Sequence, residues 1–100
     1  MCRIPKIVLV APQDVGAELR RSLSSFEYEI VAAVESIDDA RDITFDVAVL
    51  WEPEASVVAA ARERGVKTVA VGGANGADLQ LAADEATTFK TRIWELFRPA

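Results

Sequence analysis

Two segments of this sequence carry residue types suited to binding a ligand. In FDVAVLWEPE, residues 45–54, an apolar run ends in Trp51, whose indole offers a flat face for stacking and is a side chain enriched in binding hot spots. In GGANG, residues 72–76, clustered glycines allow backbone N–H groups to approach an anion. The candidate ligand-binding residues are therefore Trp51, Gly72, Gly73 and Gly76.

Both segments also have a structural interpretation, which we favour. A large side chain at the end of a buried strand fills apolar volume, so Trp51 is expected to act as a plug. GGANG lacks the complete phosphate-binding pattern of nucleotide-binding loops, and no clear helix N-terminus follows it directly. A tight turn is the simpler explanation of its glycines.

The composition excludes several classes of active site. The chain has 100 residues, no histidine and a single cysteine, Cys2. Ser-His and Cys-His nucleophiles, histidine-ligated metals and an internal disulfide are therefore ruled out. We expect no cofactor and no metal site.

Charge and hydropathy favour a soluble, cytoplasmic protein. The net charge is −5 and the basic residues are scattered, so binding to nucleic acid or to an anionic membrane is not expected. No apolar run reaches the roughly 18 to 20 residues of a membrane helix. The amino terminus has no convincing signal-peptide cleavage site.

Four short apolar runs rich in β-branched residues predict strands buried on both faces. Segments with helical spacing separate these runs. This alternation predicts parallel strands joined by right-handed crossovers, with helices on both faces of the sheet. The fold class is therefore α/β, in a single domain spanning residues 1–100. The four predicted strands are residues 4–10, 28–34, 47–51 and 67–71.

Local signals mark the ends of the predicted helices. Asp14 is expected to cap the first helix. Ser36, with Asp39 three residues later, forms a capping-box pattern before the second. The third helix is predicted over residues 54–64, and Gly65 stands where a glycine commonly ends a helix.

The last third of the sequence allows two interpretations. In the first, residues 79–82 form a fifth strand, and Thr87 caps a final helix whose apolar face includes Phe89 and Ile93. In the second, residues 77–97 form one long helix. If the fifth strand is parallel, the connection before it is too short for a helix, because such a crossover usually needs about a dozen residues or more.

The order and spacing of four segments resemble the receiver domain of bacterial response regulators. These segments are KIVLV, FDVAVL, GVKTVAV and GADLQLAAD. The resemblance implies a flavodoxin-like three-layer sandwich, with a central parallel sheet of four to five strands in the order 2-1-3-4-5. It favours the fifth strand, because GADLQLAAD is similar to the receiver segment in which a Gly-Ala-Asp turn precedes that strand. The helix between strands four and five is then missing.

Receiver domains phosphorylate themselves on an aspartate at the end of the third strand, and this sequence lacks the residues for that reaction. In the family, an acidic pair after the first strand holds Mg²⁺, and a Thr or Ser and a Lys contact the phosphoryl group. The chain therefore resembles a pseudo-receiver with a degenerate phosphorylation pocket. The resemblance places Ala11 and Pro12 at the acidic pair, Trp51 at the phosphoacceptor, Gly72 or Gly73 at the Thr/Ser position and Ala83 at the lysine.

Two functions are compatible with this pattern. The first is a non-enzymatic signalling or protein-interaction module that cannot accept a phosphoryl group. The alternative is a small-ligand or nucleotide-binding domain that uses the crevice at the carboxyl ends of the strands, a favoured ligand site in open α/β sheets. The residues expected to line that crevice are Ala11, Pro12, Trp51, Gly72 and Gly73.

The missing helix also predicts association. One face of the fourth and fifth strands would meet water, and an exposed apolar patch usually marks a contact surface. We expect a homodimer or a tight complex with a protein partner through this edge and the final helix. The competing outcome is that the terminal helix shifts to cover the gap and the chain stays monomeric. The expected interface residues are Val69, Val71, Trp94 and Phe97.

Overall fold

Five parallel strands form where short, β-branched runs can be buried on both faces. The computed structural model describes residues 4–24, 28–74 and 76–96. The strand order β2-β1-β3-β4-β5 confirms the predicted flavodoxin-like α/β fold. It also confirms the fifth strand and overturns the single long helix. The strands are β1 Lys6–Val10, β2 Glu29–Val34, β3 Val47–Trp51, β4 Lys67–Val71 and β5 Leu79–Leu81.

Helices and 3-10 turns occupy both faces of the sheet. The α-helices are α1 Gln13–Ser22, α2 Ala55–Glu63 and the single turn α3 Phe89–Arg92. The 3-10 turns are Ile37–Ala40, Ala83–Thr88 and Ile93–Leu96. The two last turns and α3 form one irregular cover, here named the C-terminal segment (residues 83–96).

The helix boundaries test the predicted caps. Asp14 is not the cap of α1: Pro12 holds the N-cap position and Asp14 lies in the first turn. Ser36 does cap the following turn, because its hydroxyl accepts the Asp38 N–H at 3.3 Å. Gly65 follows α2 with a φ of 78°, the left-handed conformation that ends many helices.

Two apolar layers enclose the sheet. On one face, Leu19 of α1 and Phe89 of the C-terminal segment belong to the same buried cluster as Val49 of β3. On the other face, Val58 of α2 shares a cluster with Leu50 of β3. Neighbouring residues of β3 therefore serve different layers, as the alternation of side chains along a strand requires.

The described residues between β4 and β5, 72–74 and 76–78, include no helix, as predicted, and form a loop instead. This β4–β5 loop turns back toward α2, where Arg62 donates to the Gly76 carbonyl at 2.8 Å and pairs with Asp78 at 3.3 Å. The face of β4 that a helix would otherwise cover carries the small residues Thr68 and Ala70, and both are fully buried. Small side chains and a folded loop therefore compensate for the missing helix.

The predicted exposure of Val69 and Val71 is wrong. Both are fully buried, in the cluster that also contains Phe89 and Ile93 of the C-terminal segment. The C-terminal segment therefore covers this face of β4, which is opposite to the Thr68 and Ala70 face that lacks a helix. Neither valine is available to a partner in this structure.

Candidate functional site

A cleft of about 340 Å³ opens at the carboxyl end of the sheet, between β1 and β3. We call it the edge cleft. In parallel α/β sheets the carboxyl ends of the strands form the usual ligand site. Ten of the described residues line it: Val10, Ala11, Pro12, Glu35, Leu50, Trp51, Glu52, Pro53, Glu54 and Val57.

Three of the predicted pocket residues meet in this cleft. Ala11 is buried, Pro12 is exposed, and Trp51 is half-buried. The Trp51 side chain also packs against the core cluster that contains Val49 and Leu9. The indole therefore contributes to the core and to the wall of the cleft. This position is compatible with both interpretations of Trp51, as a plug and as a ligand-binding residue.

A strained turn follows Trp51. Glu52 has a φ of 42°, in the left-handed region that residues with a side chain seldom adopt. Its N–H donates to the Val71 carbonyl at 2.8 Å, which ties the end of β3 to the end of β4. This conformation turns the chain sharply from the strand into Pro53 and the start of α2.

The glycine loop does not line the edge cleft. Gly73, with a φ of 69°, lies so close to the Glu52–Pro53 turn that an added Cβ would stand 2.5 Å from the Pro53 nitrogen. The N–H of Gly72 donates to the Leu81 carbonyl at 2.7 Å, and that of Ala74 donates to the Pro53 carbonyl at 2.8 Å. These N–H groups are therefore already used, which supports the tight-turn interpretation over a phosphate cradle.

Gly76 is not among the described residues that line the cleft. Gly76 faces α2, and its carbonyl accepts the Arg62 guanidinium. Ala83 begins the first turn of the C-terminal segment, and Trp94 belongs to the last, but the side chains of both lie outside what the structure describes. Phe97 lies outside the described residues.

Three carboxylates surround the edge cleft, and sequence reasoning missed two of them. Glu35 follows β2, Glu52 follows β3, and Glu54 holds the N-cap position of α2 without a side-chain capping bond. All three are exposed, and within the described part of the chain none of the three carboxylate groups has a hydrogen bond or an ion pair. Each of the three directly follows a strand or precedes a helix. Glu35 and Glu52 follow β2 and β3, so the strand order 2-1-3 could have predicted that they lie at the same edge of the sheet.

A second cleft, of about 410 Å³, adjoins the first along α1 and β2. Ala11 and Glu35 line both clefts. The second has a floor of small residues, including Gly16 and Ala33, and differs in charge because Arg20 lines it. The carboxylates are therefore concentrated at the edge cleft.

Among residues 4–24, 28–74 and 76–96, no three His, Cys, Asp or Glu side chains are arranged to hold a metal ion. The helices in that same part of the chain are all too short or too polar to cross a membrane. Comparisons of the chain with protein-family models, with curated proteins and with solved structures gave no match.

Proposed function

We propose that this chain is a non-enzymatic signalling and protein-interaction module, a receiver-like domain that acts in the cytoplasm without phosphorylation. The observation that carries the proposal is Trp51. It stands at the carboxyl end of β3, where a receiver has its phosphoacceptor, and an indole cannot accept a phosphoryl group.

The neighbouring positions support the same conclusion. Ala11 and Pro12 follow β1, where Mg²⁺ binding needs carboxylate oxygens. Gly72 and Gly73 follow β4, where the family has a hydroxyl. Glu52 is close in sequence to the acceptor position, but it is exposed and lies on the turn that leaves the strand.

Intact-mass spectrometry after incubation with acetyl phosphate and Mg²⁺ tests this proposal. The mass is expected to stay unchanged, while a phosphorylatable receiver domain treated in parallel gains one phosphoryl group. A stoichiometric gain by this chain that disappears in Glu52→Gln or Asp14→Asn would refute the proposal.

The edge cleft supports a second candidate function, the binding of a small ligand beside Trp51. The cleft lies at the usual ligand site and has apolar walls. Titration of the Trp94→Phe variant with a panel of nucleotides and flavins reports on Trp51 alone. A saturable change in emission would support this candidate, and an unchanged emission across the panel would count against it.

A further inference from the structure

The edge cleft combines apolar lining residues with a rim whose charged residues are all negative. Val10, Leu50 and Val57 contribute apolar side chains, and Trp51 adds an aromatic one. Glu35, Glu52 and Glu54 are its charged residues, and no lysine or arginine of the described chain lines it. A group that enters the cleft therefore meets apolar surface and carboxylates together.

The carboxylates are free to meet a partner. Glu54 makes no capping bond to α2, and within the described residues neither Glu35 nor Glu52 forms an ion pair, although Arg20 lines the second cleft together with Glu35. The N-cap residues of α1 and α2, Pro12 and Glu54, both line the cleft, so two helix starts place positive partial charge nearby, about half a charge each. With three acids against two helix starts, the rim stays negative.

We infer that the edge cleft docks a basic segment of a protein partner, with an arginine or lysine side chain among the three carboxylates. Arginine and lysine combine a cationic head with an apolar stem, which matches a cleft of this composition. An arginine also gains from an indole, because a guanidinium is attracted to the face of an aromatic ring. The net charge of −5 steers the approach of a basic partner.

This inference rests on the proposed function and specifies its partner. It commits to a protein segment rather than a free cation, since most of the lining residues are apolar and give the side chains next to the cation a surface to contact. Electrostatic complementarity of this kind contributes mainly to partner choice and to the association rate.

An array of immobilised hexapeptides, with each position varied in turn over all residue types, provides the test. The full chain, carrying a fluorescent label, is expected to favour arginine or lysine in at least one position with apolar neighbours. A flat array, or one that favours acidic or uncharged residues, would overturn the inference.

Two matched variants locate the contact. The triple variant Glu35→Gln, Glu52→Gln, Glu54→Gln is expected to bind the best basic peptide about tenfold more weakly, from the loss of three exposed charge pairs. The control changes three exposed glutamates away from the cleft, Glu18→Gln, Glu29→Gln and Glu63→Gln, and removes the same charge. Equal weakening in both variants would show general attraction and contradict a defined cleft.

A comparison with free cations tests whether the cleft recognises a basic protein segment or any small organic cation. Ethylguanidinium and ethylammonium are titrated against Trp51 fluorescence in the Trp94→Phe background, beside the best peptide. The peptide is expected to bind more tightly than either free cation. Equal affinity would assign the cleft to small cations instead. A chain that stays unphosphorylated but shows no basic preference would defeat this inference alone.

Discussion

The Asp78 side chain holds the β4–β5 loop, which stands in place of the missing helix, against β4. Its carboxylate accepts the Thr68 N–H at 2.9 Å and the Thr68 hydroxyl at 3.1 Å, and its own N–H donates to that hydroxyl at 3.1 Å. Thr68 is fully buried. A buried donor without an acceptor is costly, so this pair fixes the start of β5 against β4.

Asp78→Ala is therefore expected to lower the free energy of unfolding by about 1–3 kcal/mol, the cost of leaving buried donors unpaired. Asp78→Asn keeps one oxygen acceptor and should lose less. Urea unfolding followed by circular dichroism measures both. Asp42→Ala, at an exposed position without a hydrogen bond in the described chain, is the control. A loss at Asp78 no greater than the control's would show that the pair adds nothing.

At the scale of elements, the turn after β3 and the β4–β5 loop form one unit. Glu52 bonds to the end of β4, and Gly73 rests against the Glu52–Pro53 backbone. Movement of the loop would therefore disturb the turn that borders the edge cleft. The contact needs a residue without a Cβ at position 73.

Two glycines with the same backbone conformation allow this contact to be measured. Gly65 has a φ of 78° with nothing within 4 Å of an added Cβ, whereas at Gly73 a Cβ would meet backbone atoms at 2.5 Å. Gly65→Ala should cost about 1–2 kcal/mol of stability, from the left-handed conformation alone. Gly73→Ala should cost about 1–3 kcal/mol more, from overpacking. Equal losses in urea unfolding would contradict the close contact.

The elements themselves were largely predictable from the sequence. Strand positions followed from short β-branched runs separated by helical spacing, the strand order followed from the resemblance to receiver domains, and Gly65 ended α2 as expected. The burial of Val69 was not predictable in this way. It depends on Phe89 and Ile93, and whether a distant segment folds back over a strand is decided by packing rather than by a local pattern.

The candidate site was predictable only in part for the same reason. Ala11, Pro12 and Trp51 end two adjacent strands, so the strand order alone brings them together. Glu35 and Glu54 come from separate connections, and neither residue belongs to a ligand-binding motif. The position of Gly73 outside the cleft could not be predicted either, because it depends on the backbone conformation of the Glu52–Pro53 turn.

At the scale of the whole molecule, the chain covers its own sheet. Its Cα radius of gyration is 12.1 Å, close to the roughly 13 Å of a compact domain of this length. Fully burying a valine side chain is worth roughly 1.5 to 3 kcal/mol. For Val69 and Val71 this gain already comes from contacts within the chain, which removes the drive to associate that an uncovered strand would supply.

We therefore expect sedimentation equilibrium to find a monomer at about 100 µM, so that any self-association has a Kd above that concentration. The reason is that β4 is buried on both faces by its own chain, through the C-terminal segment on one side and the β4–β5 loop with α2 on the other. A dimer weakened by Trp94→Ala would instead support the interface expected from the sequence. A dimer unaffected by that change but weakened by Phe89→Ala would place the contact at Phe89 and contradict the role of that side chain as an internal cover of β4.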